Sequence, residues 1–200
     1  TNREAKYEIT VKANSATATY DGKEHEAVGV ETYEFTVEGN SYTVSGLSTE
    51  DPKQKDAGSY TNNITGTPVV TDKEGNVVTS EFEVKTENGS LEIGKAAVTL
   101  KSATLSKKYD GNALVNGDTA LEVESGFAEG EGATYNFTGS QTVVGSSANA
   151  FSYELNSNTN IDNYAISKQE GTLTVTNREA KYEITVKANS ATATYDGKEH

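Results

Sequence analysis

The first 25 residues of the chain, 1–25, recur without one change as the last 25, 176–200. The repeat period is therefore 175 residues, and the chain is a little over one period long. Drift would have scattered substitutions over two old copies, so perfect identity indicates recent duplication or continuing recombination between tandem repeats. A polypeptide that multiplies a unit in this way is expected to use length, valency or spacing.

A weaker repeat divides the period into two parts. Tyr-Asp-Gly follows an alternating stretch twice, at residues 20–22 and 109–111, and similar closing sequences occupy 82–93 and 164–175. The pattern predicts a first β domain at 3–94 and a second, diverged homologous domain at 95–175. It also predicts that 176–200 is the truncated start of the next repeat.

The secondary structure is predicted to be all strand and turn. Tyr7, Ile9 and Val11 alternate with polar residues, which is the period of a half-buried strand. Turns are expected at 38–40, 72–76, 87–89 and 169–171, and 48–56 has room for a single helical turn at most. We therefore expect an all-β chain of tandem small β-sandwich domains of immunoglobulin-like type, arranged as an elongated rod. The alternative is a β-grasp-like domain, which would need a helix.

The same alternation predicts the core of each domain. In the first domain the buried residues are expected to be Ile9, Val11, Tyr20, Leu91 and Ile93. Their expected counterparts in the second domain are Leu100, Tyr109, Leu173 and Val175.

Charge and composition restrict the partners. The formal net charge is −13 and the sequence pI is about 4.6, so the surface should repel nucleic acid and anionic membranes. Cys, Met and Trp are all absent, which fits a secreted protein that avoids oxidisable sulfur and is held together without disulfides. An extracellular location is the expectation.

The order of these motifs resembles the YDG/MBG-type tandem repeat domains of bacterial surface proteins, and more loosely the Ig-like repeats of adhesin stalks. The resemblance rests on the two Tyr-Asp-Gly turns, on Ala-Gly-Ser-Tyr at 57–60, on the run 72–79 and on the closing strands. The second domain lacks the Ala-Gly-Ser-Tyr form and the long hairpin. The resemblance implies extracellular, often cell-wall-anchored proteins in which such domains are spacers, and it implies no catalytic residues.

Catalysis and cofactors are not expected. His25 and its repeat His200 represent one histidine per period, and a lone histidine between Glu24 and Glu26 is typical of a solvated loop. Calcium is the one cofactor for which the residues offer candidates. Asn158, Asn160 and Asp162, with Asn156, alternate along one loop, but amides predominate and the terminal Glu of a calcium loop is missing. A second set, at 72–76, contains Asp72, Glu74 and Asn76.

Surface domains of the kind that the chain resembles are sometimes cross-linked by a Lys–Asn or Lys–Asp isopeptide bond near a buried acid. Lys12 or Lys101 on a first strand and Asn88 before a last strand are imaginable partners. Lysines at outward strand positions are more often solvated edge protectors, and no motif fixes a pairing.

Two functions follow from these patterns. The first is a structural repeat segment, a stalk, spacer or filament, of a bacterial extracellular or cell-wall-anchored protein. The alternative is a multivalent adhesive module that binds glycan or protein, with Tyr33, Tyr42 and Tyr60 as candidates for an aromatic platform.

The expected partners are neighbouring repeats of the same polypeptide. An isolated first strand cannot bury Tyr182, Ile184 and Val186, and its backbone lacks partners. Residues 182–187 are therefore expected to pair with residues equivalent to 26–94, in this chain or in another copy.

Overall fold

A computed structural model describes residues 5–117 and 120–199. Within these ranges the regular structure consists of strands and two single 3₁₀ turns, at Thr79–Glu81 and Ile161–Asn163, with no α-helix. The strands of the first half are β1 (Tyr7–Lys12), β2 (Ala16–Thr19), β3 (His25–Glu26), β4 (Glu34–Val37), β5 (Asn40–Thr49), β6 (Lys53–Gln54), β7 (Gly58–Asn62), β8 (Ile64–Asp72), β9 (Phe82–Glu87) and β10 (Gly89–Gly94). Those of the second are β11 (Ala96–Lys101), β12 (Leu105–Lys108), β13 (Leu114–Val115), β14 (Val123–Ser125), β15 (Ala133–Phe137), β16 (Ser140–Gln141), β17 (Gly145–Ala148), β18 (Phe151–Leu155), β19 (Tyr164–Gln169) and β20 (Thr172–Thr176).

The first and last segments of the first half run side by side through two sheets. β1 pairs parallel with β9, and β2 then pairs parallel with β10. Both segments bend at the same level, where a Cβ on Gly89 would lie 2.2 Å from the carbonyl oxygen of Asn14. The turns predicted at 87–89 and 169–171 are therefore wrong, because each marks a bend between two successive strands.

The rest of the first half is antiparallel. β5 pairs with β4 and β8, β7 pairs with β10, and β3 pairs with β6. The predicted turn between β4 and β5 is confirmed, with Glu38 and Gly39 both at positive φ. The turn at 72–76 also forms, but only an isolated bridge, Thr71 to Val77, follows it before the 3₁₀ turn. No helical turn forms within 48–56, which instead holds the end of β5 and all of β6.

The second half repeats this pairing. β11 pairs parallel with β19, as β1 does with β9. β12 pairs parallel with β20, as β2 does with β10. β17 pairs antiparallel with β20, as β7 does with β10. β13 pairs with β16, as β3 does with β6. β15 pairs with β18, as β5 does with β8. The close approach also recurs, since a Cβ on Gly171 would lie 2.2 Å from the carbonyl oxygen of Ala103.

A buried asparagine holds the bend in each half. The Asn62 amide donates to the Asn14 carbonyl at 3.1 Å, and its Oδ1 accepts from the Asp51 N–H. The Asn149 amide donates to the Ala103 carbonyl at 2.9 Å. Both side chains are completely buried, and each satisfies a partly buried backbone carbonyl.

The predicted core residues are buried with one exception. Eight of them lie in the interior: Ile9, Val11, Tyr20, Leu91, Ile93, Leu100, Leu173 and Val175. Tyr109 is only half-buried, so that prediction is wrong. Its backbone matches that of Tyr20, since each N–H donates to the end of the closing strand, but only Tyr20 is covered by the other half of the chain.

The all-β prediction is confirmed, whereas the finer, Ig-like arrangement is not. Immunoglobulin-type sandwiches are described by two antiparallel sheets, and here the first and closing segments run parallel in both halves. The β-grasp alternative lacks its helix within residues 5–117 and 120–199. The predicted division between 94 and 95 falls where a single residue separates β10 from β11, but apolar packing continues across it.

Residues 182–199 form no strand within this chain. The side chains of Ile184 and Val186 are 90% and 92% exposed, although Ile9 and Val11, which have the same place in the repeat, are buried. The expected pairing of 182–187 is therefore not formed within one chain. His200 lies outside the described residues.

Candidate functional site

The candidate functional site is the junction between the two halves of the chain, where apolar and polar contacts from both halves meet. Lys95 alone separates β10 from β11. One apolar cluster includes buried residues from both sides of it: Tyr20, Ala27, Leu91 and Ile93 from the first half, and Ala96, Val98, Leu100, Phe151 and Tyr164 from the second. Burial of such side chains stabilises an arrangement by about 25 cal/mol for each Å² of apolar surface removed from water. The junction is thus packed like a core.

Two tyrosines and one glutamate form the polar centre of the junction. Tyr20 Oη donates to Glu131 Oε1 at 2.6 Å, and Tyr164 Oη donates to Glu131 Oε2 at 2.8 Å. The tyrosine rings meet edge to face, with centroids 5.3 Å apart. Burial raises the pKa of Tyr20 most, because a tyrosinate there would be poorly solvated. The Glu131 carboxylate raises it further, because a tyrosinate would lie close to a like charge. Both hydroxyls therefore remain donors over the physiological range.

A second polar contact joins the halves at Asn163. Its Nδ2 donates to Asp56 Oδ1 at 2.8 Å, and its Oδ1 accepts from the Ala57 N–H at 2.9 Å. Asn163 is buried at the end of the 3₁₀ turn Ile161–Asn163, which Asn160 caps by accepting from the Asp162 N–H. An amide that both donates and accepts specifies one orientation of the two loops.

Sequence reasoning placed Tyr20 in the core but missed its partners. Glu131 and Asn163 lie in loops of ordinary polar composition, and nothing in their spacing distinguishes them. Their roles depend on how the second half is placed against the first, which single-sequence patterns do not encode.

The predicted calcium candidates serve the structure of their own loops. Asn158 Nδ2 donates to the Gly130 carbonyl at 2.8 Å, and Asn160 Oδ1 is occupied as a cap. Asp162 is exposed. No group of three or more His, Cys, Asp or Glu that could hold a metal occurs in the described part of the chain. The expectation that no cofactor is bound, with calcium as the one candidate, stays a prediction.

The second candidate set forms the turn after β8. Asp72 accepts hydrogen bonds from the Asn76 side chain and from the backbone N–H groups of Glu74 and Asn76, at 2.8–3.0 Å. These bonds lower the pKa of Asp72, those from Asn76 most strongly. The carboxylate therefore acts as the cap of the turn.

The candidate partners for an isopeptide bond form ion pairs and hydrogen bonds with other residues. Lys12 Nζ pairs with Glu87 at 2.9 Å and Lys101 Nζ with Glu122 at 2.9 Å, both at the surface. Asn88 accepts from the Ile64 N–H and donates to the Asn63 side chain. The structure brings neither lysine into a contact with Asn88.

His25 lies in the short strand β3, so the loop predicted for it is wrong. Its Nε2 is 3.0 Å from Asp21 Oδ1, in the first Tyr-Asp-Gly turn. The pKa of Asp21 is lowered, chiefly by the Lys23 backbone N–H and then by His25. The pair stabilises a turn.

The candidate platform tyrosines are half-buried against the cores. Tyr33 and Tyr42 pack on the cluster of Ile9 and Val11, and the Tyr42 ring lies edge to face with Phe82 at 4.8 Å. Tyr60 packs against the junction cluster and donates to the Asp56 carbonyl at 3.0 Å. The structure does not bring the three rings together as one exposed surface.

No family model, curated protein or solved structure matches this chain. The resemblance to YDG/MBG-type repeats thus remains an expectation. Within the described ranges, no helix reaches the length and apolar character needed to cross a membrane.

Proposed function

We propose that the chain is a structural repeat segment, a stalk or spacer, of a bacterial extracellular or cell-wall-anchored surface protein. The observation that carries the proposal is the junction, in which a one-residue linker, an apolar cluster and two sets of partly buried polar contacts hold the two halves together. A unit that recurs every 175 residues adds length in proportion to copy number only if its junctions resist bending.

Composition supports the same function. The chain has no cysteine, so its halves rely on strand pairing, core packing and buried asparagines. The net charge of −13 makes neighbouring copies repel one another, which discourages lateral pairing of near-identical strands.

The experiment measures length against copy number. Chains with one, two and three periods are compared by small-angle X-ray scattering and by electron microscopy of single molecules. A stalk predicts that the maximum dimension grows linearly with the number of periods. Insertion of ten Gly-Ser residues after Lys95 should shorten the mean end-to-end distance and broaden its distribution. Growth with the square root of copy number in the unmodified chains would contradict the proposal.

The adhesive alternative is tested on the same chains. A multivalent binder predicts signals on a glycan or protein array that rise steeply with copy number through avidity. A stalk predicts no such rise. Substitution of the half-buried Tyr33, Tyr42 and Tyr60 then separates binding from stability, because a platform variant would lose binding while retaining its unfolding midpoint.

A further inference from the structure

We propose that Asn116–Gly117 is a modification site, at which the chain converts an asparagine into aspartate and isoaspartate by reaction with its own backbone and with water. The sequence contains two Asn-Gly pairs, Asn88–Gly89 in the first half and Asn116–Gly117 in the second. Glycine after asparagine favours the reaction, because no Cβ hinders its nitrogen and its backbone reaches conformations that other residues rarely adopt. The fold exposes the second pair and protects the first. The proposal concerns the covalent state of the chain and does not depend on the stalk function.

The reaction needs only groups of the chain and water. The backbone nitrogen of Gly117 attacks Cγ of Asn116 and gives up its proton, and the side-chain amide leaves as ammonia, so that a cyclic succinimide forms. Water then opens this ring. Opening at Cγ gives aspartate, whereas opening at the backbone carbonyl gives isoaspartate, in which the chain runs through Cβ and Cγ. The overall change replaces an amide with a carboxylate, releasing one ammonia for each water consumed.

The second Asn-Gly pair lies where the backbone can rearrange for the attack. Asn116 directly follows the short strand β13 (Leu114–Val115), which pairs with the equally short β16. Gly117 is exposed, and among the described residues no heavy atom beyond its neighbours in the chain lies within 4 Å of the position that a Cβ would take there. Short strands with exposed ends open at low free energy. Rotation about the Asn116–Gly117 peptide therefore disturbs little packing.

The first Asn-Gly pair lies in the bend between β9 and β10. Gly89 is buried, and a Cβ on it would lie 2.2 Å from the carbonyl oxygen of Asn14. The side chain of Asn88 accepts from the Ile64 N–H at 2.9 Å and donates to Asn63 Oδ1 at 2.8 Å. Attack by the Gly89 nitrogen would turn Asn88 out of these bonds and move a backbone that touches its parallel neighbour. This pair therefore reacts only after the bend opens.

Conversion of Asn116 would reach the buried asparagine of the second half. Asn149 is completely buried, and its Nδ2 donates to Asn116 Oδ1 at 2.8 Å and to the Ala103 carbonyl at 2.9 Å. Aspartate keeps an acceptor oxygen at the end of the side chain, whereas isoaspartate lengthens the backbone and has its free carboxylate on Cα. Either product adds a negative charge to a chain whose formal net charge is −13. Isoaspartate should therefore weaken the bend that Asn149 holds.

The test follows both asparagines in one sample of the full chain. The folded protein is incubated at mildly alkaline pH and then digested with trypsin, which places Asn88 in the peptide 86–95 and Asn116 in the peptide 109–168. Fragmentation in a mass spectrometer measures the conversion of each asparagine. Asn116 should convert at least about tenfold faster than Asn88, because Asn88 reacts only through local opening. In guanidinium chloride the two rates should become similar, because the protection of the bend is lost.

Gly117→Ala is the matched variant, because the space around Gly117 admits a methyl group and the fold is retained. It should slow conversion of Asn116 about tenfold or more and leave Asn88 unchanged, because the added Cβ hinders the attacking nitrogen. The deamidated fraction, separated by anion exchange, should unfold at a lower urea concentration than Asn116→Asp, which has the same charge on a backbone of normal length. Conversion of Asn116 in the folded chain that is no faster than that of Asn88, or that Gly117→Ala does not slow, overturns the proposal. A deamidated fraction as stable as Asn116→Asp overturns the effect on the bend.

Discussion

The Tyr20 hydroxyl donates a 2.6 Å hydrogen bond to the carboxylate of Glu131, more than a hundred residues further along the chain. The same carboxylate accepts from Tyr164 at 2.8 Å, so tyrosines of both halves share one partly buried carboxylate. A hydrogen bond to a charged acceptor is worth more than one between neutral groups, and here it also orients one half against the other.

Removal of this hydroxyl should loosen the junction. Tyr20→Phe is expected to lower the free energy of unfolding by about 2 kcal/mol, because it leaves Glu131 with one donor fewer. Tyr109→Phe is the matched control, since Tyr109 has the same place in the second half but is only half-buried, and it should cost well under 1 kcal/mol. Urea unfolding measures both changes. A Tyr20→Phe variant as stable as the Tyr109→Phe control would show that the contact contributes little.

The bend of each half depends on a buried amide. Asn62→Ala and Asn149→Ala should each cost about 1–3 kcal/mol, because the partly buried carbonyls of Asn14 and Ala103 lose their donor. The exposed Asn136 on β15 provides the control, and its change to alanine should stay within about 0.5 kcal/mol. Urea unfolding followed by far-ultraviolet circular dichroism measures all three. Similar losses at all three asparagines would contradict the assigned role.

Close approach of the backbone makes two glycines irreplaceable. A Cβ at Gly89 or Gly171 would lie 2.2 Å from a carbonyl oxygen, so Gly89→Ala and Gly171→Ala require the paired bends to separate. We expect losses of about 2 kcal/mol or more in thermal unfolding. Gly117→Ala is the control, because nothing lies within 4 Å of its Cβ position. If Gly89→Ala has the same thermal unfolding midpoint as the unmodified chain, the close approach is not maintained in solution.

In this chain, turn formation depends on the local sequence, whereas strand formation depends on a partner strand from a distant segment. The Tyr-Asp-Gly turn forms at Asp21, Asp110 and Asp196 alike, each accepting from the N–H two residues later, because the aspartate and the glycine supply all it needs. The strand of 7–12 and the unpaired 182–187 have one sequence and two structures. Alternation therefore predicted which faces would be buried, as for Leu91 and Leu173, but not whether a partner strand would be present.

The candidate site was the least predictable part for the same reason. Tyr20 has a strong local pattern, whereas Glu131 and Asn163 become important only through contacts that join distant segments. The bends at Gly89 and Gly171 resemble turns in sequence, since a glycine after a polar residue is common to both. What distinguishes them is the parallel neighbour, which continues the pairing on the far side of the bend.

Three tyrosines with raised pKa values predict unfolding in alkali. The pKa values of Tyr20, Tyr135 and Tyr164 are all raised above the ordinary value of 10.0, in each case mainly by burial. A group with a raised folded pKa contributes its stability fully below the unfolded pKa and loses it as the pH rises further, because the unfolded chain releases the proton more readily. Stability should therefore fall as the pH rises above 10. Urea midpoints measured from pH 8 to 11.5 should decline less steeply in Tyr20→Phe than in Tyr109→Phe, and equal slopes would show that the Tyr20 hydroxyl is not shielded from solvent.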